Sequence, residues 1–563
     1  MAKTPLLSSI KKFLREYHTA QQLGIPVDEV RERSEKEGHI FKSRSISRRQ
    51  FISGLAATSV TMMFPSFLKR TSRAASAPRI AIIGGGLAGL TAALTLADAG
   101  IFATIYEASE TTIGGRMLTV RGTSGNIGCA LCHDLKGKGG FSWDEGQYTD
   151  PFGELIDSTH PTMLALVKRF KLPLIDLIAA QPRGSEDTYY FLGTYYKKSQ
   201  ADEDFASLYP LLQADLKAAG YPTTYNQSTP VGRALDMMSI FEWIESRVPG
   251  GHNSPLGRLL DAAYNIEYGA ETTDQSALSL IYLLAYSKRN NFSIFGESDE
   301  RFRIAGGADL LPRAIANYLG PSAIKMGWKL EALSLLSDGT YQLNFNQRRE
   351  VRADYVILAI PFSVLRYLDF RRAGFDALKI KAIQELGAGV NDKMHLQFTS
   401  RYWNEPGVWG ISNGNSYADT GYQCTWDATR GQKGRCGILV NYTGGNVTLS
   451  QNLNHSYEDS VNNPQVVKEA KRFLAQIEPV FPGISLRWNG KADASLAHLN
   501  PLWRSSYAYW RVGQYQTIAG YERVRQGNVF FAGEHTSLDY QGWMEGAASE
   551  GIRAAKEILA LLR

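Results

Sequence analysis

Residues 79–100, RIAIIGGGLAGLTAALTLADAG, form the stretch that decides the fold. An aliphatic run with isoleucines at 80, 82 and 83 comes first, three glycines follow, and residues 87–100 are rich in leucine and alanine. β-Branched residues favour strands, whereas leucine and alanine favour helices. The stretch therefore predicts a strand, a tight turn at Gly84 and a helix.

The glycines at this turn have the spacing G-x-G-x-x-G, at Gly84, Gly86 and Gly89. In dinucleotide-binding units the first glycine permits the turn, the second lets the backbone approach the pyrophosphate, and the third lets helix and strand pack closely. The helix N-terminus then faces the phosphates. A second predicted strand ends at Glu107, 18 residues after Gly89, where an acceptor for the ribose hydroxyls belongs. The pattern predicts a dinucleotide site.

Further motifs lie on both sides of the middle of the chain. Glu107 and Ala108 lead to Gly114-Gly115-Arg116-Met117, and near the C-terminus the segment VFFAGEHT at 529–536 is followed by GWMEGA at 542–547. In these motifs the chain resembles the flavin-dependent amine oxidase superfamily, which includes monoamine, polyamine and L-amino acid oxidases. The resemblance covers residues 78–563 and implies FAD instead of NAD.

The resemblance also implies an α/β fold class. We expect a Rossmann-like FAD-binding domain of the amine oxidase fold, interleaved with an α+β substrate-binding domain. The FAD-binding segments are expected at 78–150 (with a loop insertion at 123–149), 301–365 and 526–563. The substrate domain is expected at 151–300 and 366–525, and residues 1–77 form a leader.

Contacts to FAD are expected from all three segments. Gly114 and Gly115 permit close approach to the pyrophosphate, and Arg116 can neutralise its charge. The helix that follows Gly542 would point its N-terminus at the flavin pyrimidine and favour negative charge there. The resemblance implies this set of cofactor contacts: Gly84, Gly86, Leu87, Ala88, Gly89, Glu107, Ala108, Gly114, Gly115, Arg116, Leu155, Ile156, Leu330, Gly533, Glu534, Gly542, Trp543, Met544 and Ala547.

Three residues are the expected catalytic group. Family members commonly carry a lysine that holds a water near flavin N5, and Lys393 occupies that place; the alternative is an ordinary surface lysine. Tyr507 and Trp543 match the two segments of an aromatic substrate cage; the alternative is ordinary packing. Ser506 stands where covalently flavinylated monoamine oxidases carry cysteine, so the resemblance implies non-covalent FAD.

The implied activity is oxidative deamination of an L-amino acid or a primary amine. The imine product hydrolyses with release of ammonia, and hydrogen peroxide forms if oxygen is the acceptor. Many L-amino acid oxidases bind the substrate carboxylate with an arginine in a segment that corresponds to 153–160, which has none. Glu154 and Asp157 there suit a cationic substrate or a structural hydrogen bond. A dehydrogenase that passes electrons to a cytochrome or quinone, and a desaturase-type flavoenzyme, are the alternatives.

The leader, residues 1–77, resembles an export signal. Ser47-Arg48-Arg49-Gln50-Phe51 resembles the twin-arginine motif, and a mildly apolar stretch at 52–64 and small residues at 74–77 follow it. The apolar stretch is shorter than the roughly 20 residues that span a bilayer, so it is typical of a signal peptide. We expect the twin-arginine translocase to export a folded, FAD-loaded protein to the periplasm or the exterior.

The formal net charge of the 563-residue chain is +6, and this excess belongs to the leader. Residues 1–77 hold 14 basic and 6 acidic residues, whereas the rest of the chain holds 47 and 49. A body without basic excess offers no electrostatic case for nucleic acid. The expected partners are a small amine or amino acid, oxygen or a redox acceptor, and the translocase. The sequence does not determine the oligomeric state, for which a homodimer is one candidate.

Four cysteines form two pairs along the chain. Cys129-x-x-Cys132-His133 matches the haem c attachment motif, although haem c is attached to unfolded chains and twin-arginine substrates arrive folded. A metal or redox dithiol, and a local disulfide or inert thiols, are the other interpretations, and no metal-ligand set is assigned. Cys424 and Cys436 flank a predicted hairpin loop, where an oxidising compartment favours a disulfide.

Overall fold

A five-stranded parallel sheet holds the dinucleotide motif in the computed structural model, which describes residues 77–121 and 140–562. Its central strands are mostly buried, and strands buried on both faces of a parallel sheet are typically apolar throughout. This explains the unbroken aliphatic run of the first strand. In sheet order, the strands are Val529–Phe531, Tyr355–Leu358, Ile80–Ile83, Thr104–Glu107 and Ile324–Met326.

Helices from both ends of the described chain pack together beside this sheet. Leu87–Asp98 contacts Met544–Leu561 and Leu310–Leu319. Gly551 allows the close approach, because a Cβ there would lie 2.1 Å from the Ala88 carbonyl oxygen. The Thr91 hydroxyl donates a hydrogen bond of 3.0 Å to the Ala548 carbonyl. These contacts build one core from distant parts of the chain.

A second, eight-stranded sheet lies in the other part of the molecule. Its neighbours are antiparallel except Glu186–Phe191 and Ser412–Ala418, which pair in parallel. The helix Pro464–Ile477 packs its apolar side against the strand Trp488–Leu496. In sheet order, the strands are Tyr457–Asp459, Trp488–Leu496, Asn391–Phe398, Gly437–Gly444, Cys424–Asp427, Ser412–Ala418, Glu186–Phe191 and Thr194–Tyr196.

Residues 161–284 supply a largely helical layer. Ala277–Leu284 is buried along its whole length. Serine N-caps begin this helix and two others of the layer, Ile240–Arg247 and Pro255–Tyr268. Gly269, at a φ of 65°, ends Pro255–Tyr268 in the left-handed region that glycine favours. The helices of this layer are Pro161–Arg169, Lys198–Ala219, Pro230–Asp236, Ile240–Arg247, Pro255–Tyr268 and Ala277–Leu284.

Smaller elements connect these layers. A four-stranded sheet contains, in sheet order, Arg349–Ala353, Tyr341–Phe345, Leu330–Leu335 and Asp369–Arg372. Two-stranded ladders join Gly387–Ala388 to Ala508–Tyr509, Val120–Arg121 to Tyr148–Thr149, and Leu174–Asp176 to Phe302–Ile304. The short helices are Phe362–Leu365, Ala377–Glu385, Gly445–Leu449 and Gln514–Thr517, and 3-10 turns occur at Asp144–Gly146, Gly251–Asn253, Pro321–Ala323, Asn346–Arg348, Tyr402–Asn404, Ile484–Arg487, Ala497–Leu499 and Glu534–Thr536.

The disulfide predicted between Cys424 and Cys436 is wrong, because both thiols are free. Cys424 is paired with Tyr442 in the antiparallel ladder between Cys424–Asp427 and Gly437–Gly444. Tyr442 lies six residues beyond Cys436 along its strand. At about 3.3 Å per residue this separates the two cysteines by roughly 20 Å, far beyond the ~6 Å between the Cα atoms of a disulfide.

Several sequence predictions lie outside the described residues. They include the leader with Arg48 and Arg49, and the motif Cys129, Cys132 and His133. Within residues 77–121 and 140–562, no helix is long and apolar enough to cross a membrane. The same described residues contain no group of three or more histidine, cysteine, aspartate or glutamate side chains arranged to hold a metal ion.

Candidate active site

The glycine turn forms the floor of a dinucleotide cradle. Gly84 has a φ of 102°, and a Cβ there would lie 2.6 Å from the Ala359 carbonyl oxygen, so only glycine fits. Gly86 caps the helix Leu87–Asp98 without a side chain. A Cβ on Gly86 would meet open space, since its nearest neighbour, Gly115 Cα, lies 4.0 Å away. The gap at this helix N-terminus is shaped for a phosphate group.

Glu107 closes one end of the cradle. Its Oε2 accepts a 2.6 Å hydrogen bond from the Gly85 amide, and its Oε1 accepts one of 2.7 Å from the Ser109 amide. Burial raises the pKa of Glu107 despite these backbone donors. Trp328 and Leu330 also line the cavity, and they follow Ile324–Met326, the edge strand that pairs with Thr104–Glu107. The carboxylate thus stands where the sequence places a ribose acceptor.

Arg116 and Glu534 bring the first and last segments together. The Arg116 guanidinium lies 3.2 Å from Glu534 Oε1 and donates to the Ser506 carbonyl. Glu534 Oε2 accepts a 3.0 Å hydrogen bond from the Gly542 amide. One buried carboxylate therefore orients both the arginine and the loop that precedes the C-terminal helix.

One cavity of about 320 Å³ runs past all of these groups and past the predicted catalytic residues. Every residue of the predicted site except Gly89 and Ile156 lines it. The predicted residues on its wall are Gly84, Gly86, Leu87, Ala88, Glu107, Ala108, Gly114, Gly115, Arg116, Leu155, Leu330, Lys393, Tyr507, Gly533, Glu534, Gly542, Trp543, Met544 and Ala547.

The two exceptions have structural positions instead. A Cβ on Gly89 would lie 2.0 Å from the Gly84 carbonyl oxygen, so this glycine lets helix and strand pack, as its place in the motif predicts. Ile156 is fully buried, and its amide donates a 2.7 Å hydrogen bond to the Phe302 carbonyl. Ile156 was expected to contact the cofactor, but the structure places it in the core instead.

Lys393 lies on the strand Asn391–Phe398 and is 8% exposed, which does not fit the surface-lysine alternative. Its ammonium group donates to Glu154 Oε2 at 2.8 Å, the Phe152 carbonyl at 2.8 Å and the Asp150 carbonyl at 3.2 Å. An ammonium group has three protons, so these acceptors use all of them. A water bound by Lys393 would have to replace one of these acceptors.

Lys393 belongs to a buried network of ion pairs that was not predicted from the sequence. Arg303 lies 2.9 Å from Asp150 Oδ2 and 3.4 Å from Glu154 Oε1, and its side chain is fully buried. Burial alone would raise the pKa of Glu154, but the charges of Lys393 and Arg303 outweigh it and lower that pKa. Glu154 therefore serves as a charged bridge between the two cations, the structural alternative considered for it above.

Aromatic side chains surround the part of the cavity beside Lys393. The Tyr507 hydroxyl donates to the Ile266 carbonyl at 2.9 Å and is 2.7 Å from the Tyr442 hydroxyl. The Trp543 ring packs edge-on against His160, 5.2 Å between centres. Gly542, which precedes Trp543, has a φ of 87° in the left-handed region that glycine favours, and it lies against the Tyr507 ring.

Two further carboxylates on the cavity wall, Glu267 and Glu300, were not identified from the sequence. Glu267 lies in the last turn of Pro255–Tyr268, and Glu300 precedes the strand Phe302–Ile304. Neither belongs to a local motif that would have marked it. Only the fold brings the two segments to one cavity.

The cavity fits FAD on its own features. The space where a Cβ on Gly86 would lie is open and adjoins the N-terminus of the helix Leu87–Asp98, and Arg116 lines the same cavity, as a pyrophosphate requires. His535 lines the cavity, and neither of its ring nitrogens has a partner among the described residues. Burial lowers the pKa of His535 to about 3, so the ring is neutral and can both donate and accept.

Comparison with known families agrees with this geometry. Residues 87–559 match the family described as flavin containing amine oxidoreductase. The chain belongs to this family. The predicted superfamily is thereby confirmed, and the protein is a flavin oxidoreductase that acts on CH–NH₂ groups.

Many relatives of this amine oxidoreductase are L-amino-acid oxidases. That of Demansia vestigiata is 24% identical, with 87% of this chain and 88% of the relative covered. That of Siganus canaliculatus is also 24% identical, with 85% of each chain covered.

Solved structures of similar fold are amine oxidases. Cyclohexylamine oxidase from Brevibacterium oxydans IH-35A has a TM-score of 0.70 at 19% identity, covering 86% of this chain and 99% of the other. Putrescine oxidase bound to putrescine has a TM-score of 0.69 at 17% identity, with the same coverage. The predicted α/β fold class is confirmed.

Proposed function

We propose that this amine oxidoreductase oxidises primary amines that lack an α-carboxylate. The observation that carries the proposal is the cavity wall. Among the described residues that line it, the only arginine is Arg116, which is held by Glu534 near the cradle. The other side-chain cations there are Lys329, beside the cradle, and Lys393, paired with Glu154. A substrate carboxylate would therefore lack a free cation to bind it.

The residues of the cavity have distinct tasks in this proposal. Tyr507 and Trp543 hold the apolar part of the amine, and Lys393 positions a water beside the reacting carbon by exchanging one of its three protein acceptors for that water. When bound, FAD supplies the acceptor for the hydride from that carbon. The aromatic wall excludes water, which favours the neutral amine that must react.

Oxidation of an L-amino acid is the second candidate, because the two relatives above are L-amino-acid oxidases of 24% identity. It requires a carboxylate site elsewhere on the wall. The proposal also includes oxygen as the electron acceptor, with a cytochrome or quinone as the alternative. It includes FAD that is bound non-covalently, since Ser506 stands where a covalent link would need cysteine.

A panel of matched compounds tests the choice between these candidates. Pentylamine and L-norleucine differ only in the carboxylate, as do 1,5-diaminopentane and L-lysine. We expect each carboxylate-free compound to bleach the flavin of the anaerobic holoprotein at least about tenfold faster than its amino acid partner, because an unpaired carboxylate costs at least ~1.4 kcal/mol in this cavity. Faster bleaching by either amino acid would contradict the proposal.

Export remains a further proposal, supported by the leader sequence alone. We infer that the translocase carries the folded holoprotein across the membrane. In the double variant Arg48→Lys with Arg49→Lys, we expect the full chain and its FAD to stay in the cytoplasmic fraction of a host that has the twin-arginine translocase. Unchanged periplasmic yield of that variant would contradict the signal.

A further inference from the structure

Trp543 is the least fixed member of the predicted cage. It is half-buried, lines the cavity and precedes the helix Met544–Leu561 as its N-cap residue. Within residues 77–121 and 140–562, its indole nitrogen forms no hydrogen bond, and its ring packs into none of the hydrophobic cores. The one ring that it contacts in this part of the chain is that of His160. The orientation of Trp543 therefore depends on His160.

The contact between His160 and Trp543 has a defined geometry. The ring planes are inclined at 67°, with 5.2 Å between the ring centres, an edge-on arrangement that aromatic pairs favour. Burial lowers the pKa of His160 to about 3, so its ring is neutral. The contact is thus one between two neutral rings, and its geometry follows from where the fold holds the His160 ring.

Asp157 fixes the His160 ring at both of its nitrogens. The Asp157 amide donates a 3.0 Å hydrogen bond to His160 Nδ1, and Nε2 lies 3.3 Å from Asp157 Oδ2. Because Nδ1 is an acceptor, the proton of the neutral ring lies on Nε2, on the side of the carboxylate. Both residues are fully buried. A ring turned by 180° would lose its acceptor for the Asp157 amide, so the observed orientation is the favoured one.

The segments that carry the two rings are joined at two further points. The Tyr540 hydroxyl donates a 3.3 Å hydrogen bond to the Thr159 carbonyl. The carboxylate of Glu545, which is 1% exposed, accepts hydrogen bonds of 3.0 and 2.8 Å from two amides in the first turn of the helix Pro161–Arg169, where a negative charge is favoured. These bonds hold the backbone on either side of His160 against the cage segment.

We propose that His160 is a positioning residue for the reaction, because it holds the Trp543 ring in the orientation that the apolar part of the amine requires. His160 is not among the described residues that line the cavity. It therefore does not touch the substrate and acts only through Trp543. This inference rests on the proposed function, in which Trp543 holds the amine.

Near-UV circular dichroism of the oxidised holoprotein tests the orientation of Trp543 without any substrate, since a side chain with fluctuating packing loses this signal. The part of the spectrum that disappears in Trp543→Phe belongs to the Trp543 indole. We expect His160→Leu, which removes the imidazole ring, to lose at least about half of that part of the spectrum.

His160→Phe is the conservative variant. It keeps a ring beside Trp543, but phenylalanine, like leucine, cannot accept the hydrogen bond from the Asp157 amide. Both variants should therefore lower the melting temperature by similar amounts. Only the leucine variant should lose the Trp543 signal, which separates the role of the ring from the stability of the fold.

Steady-state kinetics with pentylamine measure the consequence for the substrate. In His160→Leu we expect KM to rise by about 3- to 10-fold, the size of one aromatic contact, and kcat to stay within about twofold. His160→Phe should keep the wild-type KM. His252→Phe is the matched control, because His252 packs on the Phe241 ring at 4.0 Å between centres and is not among the described cavity residues. It should change neither KM nor the Trp543 signal.

An unchanged Trp543 signal and KM in His160→Leu would overturn the inference, as would a phenylalanine variant that loses both as fully as the leucine variant. If the leucine variant does not fold with FAD, His160→Met replaces it, since methionine also lacks a ring and adapts to irregular spaces. Failure of the proposed function has a different signature. If the matched panel favours amino acids, L-norleucine replaces pentylamine, and the dichroism, which needs no substrate, still decides the role of His160.

Discussion

Glutamate in place of Gly86 should produce a folded protein that contains no FAD. A Cβ at this position has no neighbour closer than 4.0 Å, and the backbone is extended at a φ of −70°, so the side chain fits the fold. The added carboxylate would occupy the phosphate position at the helix N-terminus and repel the pyrophosphate. We expect FAD affinity to fall by at least about 1,000-fold, or roughly 4 kcal/mol.

Flavin absorbance measures the predicted loss of FAD, and thermal unfolding measures whether the fold is retained. Acid precipitation of the wild type should release a yellow supernatant, as non-covalent FAD requires, and the variant should release none. Its melting temperature should match that of wild-type protein stripped of FAD. Gly89→Ala is the contrasting variant, because its Cβ would lie 2.0 Å from the Gly84 carbonyl oxygen and should destabilise the fold itself. Full FAD content in the Gly86 variant would disprove the cradle.

Methionine in place of Lys393 should slow flavin reduction or reoxidation by about 100-fold or more, a size typical of a positioned proton-transfer group. Methionine keeps the apolar stem but removes the ammonium that contacts Glu154, Phe152 and Asp150. Glu154 would then stay buried with Arg303 as its remaining cation. Breaking a buried pair costs about 3–5 kcal/mol, so thermal stability should fall as well.

The double variant Lys393→Met with Glu154→Gln separates these effects. Removing the second charge should restore much of the melting temperature, but the rate should stay low if Lys393 acts on the reaction. Stopped-flow measurement of both half-reactions provides the rates. Lys329→Met is the control, since this exposed lysine lines the cavity near the cradle. Wild-type rates in the Lys393 variant, or rates that recover together with stability, would show that Lys393 is only structural.

Most of the cofactor side of the site was predictable from the sequence because its signals are local. The turn at Gly84 and the open helix N-terminus at Gly86 follow from glycine spacing within six residues. Glu107 follows because the second strand must end at the same sheet edge. Leu155 and Ile156 show the limit of local matching: neighbours along the chain, they point apart, one to the cavity and one to the core.

The substrate side was less predictable because its residues meet only through packing. Glu267 ends a helix, Glu300 precedes a short strand, and neither belongs to a recognisable motif. Arg303 belongs to no motif of the sequence analysis either, yet it is a buried cation 3.4 Å from Glu154. The pair Cys424 and Cys436 was misjudged because strand register, which the hairpin pattern does not reveal, places them at opposite ends of a ladder.

The sequence by itself determined the family, the dinucleotide fold and most of the residues that line the cradle, since glycine conformation and strand–helix periodicity act over a few residues. Only the tertiary structure decided that Lys393 is tied to Glu154, that Ile156 is core, and that Glu267 and Glu300 share one wall. Each of these facts depends on contacts between separate segments; Lys393 and Glu154, for example, lie 239 positions apart in the chain. Such contacts are set by how the layers pack, which no short stretch of sequence encodes.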